Sequence, residues 1–153
     1  MTPPQPNFTA ANIRTGAIRG LVAVAMMSAW EKLSFILSFP RPLDWTVNEW
    51  FVRAAADAAG LGAYRLVCGT PDLIRAIALI LHFIVGVGCG VLFECGHPER
   101  FPRWAEAIAW SACLQLLLFA VAPLAGPVSP LLAVGTLVGH GFFAVALATA
   151  RRT

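Results

Sequence analysis

Four polar side chains stand alone in otherwise apolar stretches of the sequence: Glu31, His82, Gln115 and His140. A carboxylate, two imidazoles and a primary amide allow three kinds of chemistry. Imidazoles at mid-depth on two helices can supply both axial ligands of a haem, or one ligand each to a (bacterio)chlorophyll in a larger complex, which makes His82 and His140 the candidate cofactor ligands. The same four groups can pass a proton or hold a small ion, because imidazole titrates near physiological pH. They can also hydrogen-bond between helices and fix bundle geometry, each bond being worth about 0.6 to 2 kcal/mol in a bilayer. No nucleophile with its base, HExxH or phosphate-cradling glycine loop accompanies them, so an enzyme is the least favoured class and no residue is named as catalytic.

The elements that must position these groups are membrane helices. Of the 153 residues, 58% are hydrophobic and 12% charged, about half the charged share of an ordinary soluble domain. Asp72 to Gly96 sets the pattern: between Arg75 and Glu94 the only strongly polar side chain is His82. Four spans are expected, at about 13–37, 73–95, 104–122 and 131–150, forming an all-α integral membrane four-helix bundle of one domain. Residues 1–11, polar and proline-bearing, are expected to be a mobile tail. A signal peptide is the rival for the N-terminal run, but cleavage after MSA would cut an apolar pattern that continues to Phe39. The net charge of +3 is scattered along no basic face, which argues against nucleic acid. Cys68, Cys89, Cys95 and Cys113 have no metal-ligand or redox spacing, so neither a disulfide framework nor a zinc site is expected.

Small residues set the packing faces. Gly16 and Gly20 in the first span, Gly86 and Gly90 in the second, and Gly135 and Gly139 in the fourth are each four apart, the spacing that lets helix backbones approach closely in a membrane. His82 shares a face with Gly86 and Gly90, so that face looks at protein. Glu31 shares one with Gly20, Val24 and Met27, although a place at the headgroups beside Lys32 is the plainer reading for it. Between the first two spans, the prolines of FPRP at 39–42 end one helix. A T-x-x-E box at Thr46 and Glu49 then opens a short amphipathic helix over about 47–59, with Trp45 and Trp50 as anchors at the membrane surface.

An even number of spans puts both termini on one side, with Arg14, Arg19, Arg100, Arg103, Arg151 and Arg152; Arg41, Arg53, Arg65 and Arg75, balanced by acids, lie on the other. The positive-inside rule therefore favours cytoplasmic termini. In that topology all four polar groups favour the half nearer the long loop, and His82 and His140, on diagonal helices, are expected to meet across the bundle axis.

GLVAVAMMSAWEKLSF followed by FPRP, the His82 span, Gln115 followed by APLAG, and Gly139-His140 leading to Arg151-Arg152 resemble the YagU-like bacterial inner-membrane family. The resemblance covers the four spans and omits the tail and most of the loop over 43–71. It implies that His82, Gln115 and His140 match His, Gln and His positions of that family, that the protein sits in a bacterial inner membrane, and that a role in stress or acid tolerance is available to it. Phe119 stands where the family can carry another histidine, and the loop after FPRP is shorter. The expected partners are the lipid bilayer and either other membrane subunits or a second copy of the chain.

Overall fold

The structure is a computed structural model that describes residues 6–37, 43–60, 71–96 and 102–149. FPRP, HPERF, the segment carrying Arg65 and Cys68, and Arg151 and Arg152 lie outside them. Among the described residues there are five helices and no strand: α1 (Ala10–Ile36), α2 (Leu43–Ala58), α3 (Pro71–Gly96), α4 (Arg103–Ala125) and α5 (Pro130–Thr149). Three of them are long and apolar enough to cross a membrane, at Leu73–Gly96, Arg103–Ala125 and Pro130–Thr149. The composition of α1 falls short of that standard, because Arg14, Arg19, Glu31 and Lys32 interrupt its apolar run.

Local signals set most of the boundaries. Thr9 caps α1 by accepting from Asn12 N at 3.2 Å, which starts the helix three residues before the expected position. Just upstream, Asn7 N donates to Cys95 O at 2.8 Å, so this part of the expected tail lies along the end of α3. The first turn of α2 begins at Leu43, ahead of the T-x-x-E box, and carries Trp45 into a contact with α1. Gly60, at φ 63°, ends that helix in the left-handed conformation that glycine adopts without strain. Pro123 lies inside the last turn of α4, where it cannot donate to Phe119 O, yet the helix runs on to Ala125. Ser129 caps α5, with Pro130 in the first helical position.

The helices pack in the spatial order α3, α1, α5, α4, each antiparallel to its neighbour, while α3 and α4 barely touch. α2 lies across this seam against both of them. The bundle therefore has three closed interfaces and one open side. The larger core joins Val24 and Met27 of α1, Phe93 of α3, Ala107 of α4 and Phe143 and Leu147 of α5. A smaller one joins Val47 of α2, Ala122 of α4 and Leu132 of α5 at the other end.

The tightest interface is α1 on α3. A Cβ on Gly20 would stand 2.5 Å from Gly86 O, one on Gly16 2.6 Å from the Val91 Cα, and one on Gly86 2.6 Å from the Val24 Cβ. Gly90 meets the backbone of Gly20 in the same way. Only glycine permits this approach. The α5 glycines differ. Gly139 has Met27 and Trp30 at an ordinary 3.4 Å from its Cβ position, and the Cβ position of Gly135 opens on empty space. The contact at Gly135 is made by its carbonyl, which accepts from Trp30 Nε1 at 2.9 Å.

Candidate functional site

Helix direction brings Glu31 and His82 together. Side chains lean toward the N-terminus of their own helix, so on antiparallel α1 and α3 a residue can reach a partner several positions beyond the one it faces. Glu31 is 2% exposed, and its Oε2 lies 4.0 Å from His82 Nε2. The same oxygen accepts from the indole N–H of Trp45 at 2.5 Å. Glu31 thus faces inward, toward α3 and α2. Trp45, expected as a surface anchor, gives its polar edge to this carboxylate.

His140 is fixed by its own helix. Its Nδ1 lies 3.2 Å from Thr136 O, and since a carbonyl only accepts, Nδ1 donates to it. Ser111 of α4 donates to His140 O at 2.6 Å, which holds α4 against the same turn. Gln115, one turn along α4 from Ser111, is 4% exposed, and neither atom of its amide has a hydrogen-bond partner among the described residues. A buried amide left unmade in this way lowers stability and calls for an explanation other than packing.

His82 and His140 line one half-open cavity of about 440 Å³. Val24 and Met27 of α1, Val85, Gly86 and Cys89 of α3, Leu114, Leu118 and Val121 of α4, and Val47, Asn48 and Phe51 of α2 complete most of the wall. Its mouth lies at the α3–α4 seam: the lining residues Leu117 and Val85 are 64% and 48% exposed, on the outer surface of their helices. The site is thus an apolar chamber with two imidazoles, opening sideways. Of the four expected polar groups, the histidines reach the chamber, Glu31 stands behind His82, and Gln115 lies outside the lining. Among the described residues no three of the His, Cys, Asp and Glu side chains converge as metal ligands.

No family model, curated protein or solved structure matches the chain.

A second charged cluster lies toward the other end of the α1–α3 interface. Arg19 and Arg103 both donate to Glu94 Oε2, and the Arg103 guanidinium lies over the Phe93 ring at 5.1 Å. Arg19 is 3% exposed, as buried as the core. From the sequence Arg19 reads as a topology marker. The available signal is the glycine spacing: with Gly16 against Gly90 on antiparallel helices, Arg19 and Glu94 lie about 10 Å apart along the axis, a gap that the long arginine side chain spans by leaning toward the N-terminus of α1. Nothing in the pattern announces Trp45 as the partner of Glu31, because indole anchors and indole donors look alike in a sequence.

Proposed function

We propose that the chain is a polytopic membrane protein whose working part is the chamber between α3 and α4, a site for a lipophilic molecule that enters sideways from the bilayer. The observation that carries this reading is the pair His82 and His140 on one apolar wall that opens at the seam. The volume falls in the range of small-molecule sites and is far too small for a further helix. The imidazole of His140, on the chamber wall, suits a ligand hydroxyl, and the Glu31–His82 pair suits a group that exchanges a proton. A quinol or a related long-chain phenol has both features. Such a protein needs no catalytic residue. The apolar exterior, with Ile80, Ile84, Leu116 and Leu137 each more than half exposed, would be covered by lipid, by partner subunits or by a second copy.

The test is thermal unfolding of the detergent-purified protein with a short-tailed benzoquinol. The wild type should gain about 5 °C at a large excess of ligand, and His140→Leu should gain nothing. Equal responses from the two proteins would end this reading. A bis-histidine haem is the second reading, favoured by the same two side chains. It requires His82 to turn its Nε2 away from Glu31, and a Soret band in the purified protein would decide for it.

In this proposal α1 is the fourth span. Its charged residues do not forbid that, since Arg19 and Glu31 are buried against partners instead of facing lipid. Both termini then lie on the arginine-bearing side, the cytoplasm of a bacterial inner membrane, and the YagU-like pattern of His82, Gln115 and His140 fits this assignment. A reporter fused after Thr153 should read cytoplasmic and one inserted at Gly60 should read the opposite side. A reporter ahead of Thr9 should agree with the one after Thr153; if it agrees with the one at Gly60 instead, α1 leaves the set of spans.

A further inference from the structure

We propose that Arg19 and Arg103 form a binding site for a single phosphate group, carried by an anionic lipid headgroup or free in solution. The inference needs the membrane setting but not the chamber. Arg19 comes from α1 and Arg103 is the first residue of α4, and both guanidiniums bond to the same oxygen of Glu94. Each therefore uses only part of its donor set. Arg19 Nη2 and Arg103 Nε and Nη1 are buried with no acceptor among the described residues. A guanidinium is a rigid fork of five N–H donors that is best matched by two oxygens at once, and one shared carboxylate oxygen leaves both forks unfilled.

A phosphate supplies the missing acceptors and a negative charge. α4 adds to the attraction: Ala105 N and Glu106 N donate to Pro102 O, but Pro102 gives no side-chain cap, which leaves the N–H groups of Arg103 and Trp104 and the positive end of the helix dipole at this helix start. Glu94 between the arginines and Glu106 in the first turn of α4 limit the site to one anion. Access is from the headgroup layer. The side chain of Arg103 is 18% exposed, and Trp104 beside it is 62% exposed, as an interfacial tryptophan would be. Phe93 beneath the Arg103 guanidinium keeps its plane oriented while its edge changes partner. With the termini in the cytoplasm, this is the leaflet side where anionic lipids attract basic residues.

The experiment uses the full-length protein, delipidated in a neutral detergent, and follows its unfolding midpoint. Phosphatidylglycerol, phosphatidylcholine and inorganic phosphate are added separately. The expected result is a rise of about 5 °C with an anionic phosphate and no rise in Arg103→Gln. A response to phosphatidylglycerol alone makes the ligand a headgroup; a response to inorganic phosphate as well makes it the free anion. The proposal fails if neither anion raises the midpoint, if phosphatidylcholine acts as strongly as phosphatidylglycerol, or if Arg103→Gln responds like the wild type. If Arg103→Gln does not fold, native mass spectrometry of the wild type in mixed micelles replaces it. Preferential retention of phosphatidylglycerol then supports the site, and equal retention of both lipids overturns it.

Discussion

Replacing Gly90 with leucine is expected to push α1 and α3 apart and to lower the stability of the bundle markedly. A Cβ at this position would already stand 2.5 Å from the Cα and N of Gly20, and backbone atoms cannot rotate away as a side chain can. Overpacking usually costs about 1 to 3 kcal/mol, and a backbone-to-backbone clash belongs at the top of that range. Gly88 is the control. Its Cβ position meets nothing within 4 Å, so Gly88→Leu on the same helix should leave the unfolding midpoint nearly unchanged. Leucine is the better helix former at both positions, so equal losses from the two variants, measured by thermal unfolding in detergent, would show that the glycine contact does not set the cost.

The second large effect is expected from Glu94→Ala. This change leaves the Arg19 guanidinium in a 3% exposed site without its carboxylate, and stranding one member of a buried ion pair costs about 3 to 5 kcal/mol. The double variant Arg19→Met, Glu94→Leu removes the two most buried charges at similar volume and leaves Arg103, the more exposed of the two arginines. Because a buried pair and its apolar replacement are often close in energy, the double variant should recover most of the loss. Additive losses in this cycle would mean that Arg19 and Glu94 are not coupled.

These two sites show what the sequence makes legible. Length and hydropathy announce α3, α4 and α5, because a bilayer demands long apolar helices and little else resembles them. The glycine spacing in α1 and α3 marks faces, since small residues four apart have few other uses in a membrane helix. Cross-helix register is not legible. That Gly20 meets Gly86, and that Arg19 thereby reaches Glu94, depends on how far one helix slides along the other, and each sequence carries only its own half of that information. The open seam is equally hidden. Leu117 and Val85 line the chamber mouth, yet they have the same residue types as neighbours that face lipid, because inside and outside are both apolar in a bilayer. Trp45 was readable as an amphipathic residue but not as a donor to a carboxylate fourteen residues earlier in the chain.

The two polar contacts between α1 and α3 bear on how the protein is made. Arg19–Glu94 and Glu31–His82 are twelve residues apart on both helices, so they clamp the glycine contact about 18 Å apart along the axis. α1 leaves the ribosome before α3 and carries both of its charged groups without their partners. An arginine or an acidic residue at the centre of a lone helix opposes insertion by about 2.5 to 3.5 kcal/mol. If α1 spans the membrane as proposed, it is expected to wait at the translocon or the membrane surface until α3 arrives with Glu94 and His82. A helix made earlier is then held by one made later, before α4 and α5 are in place.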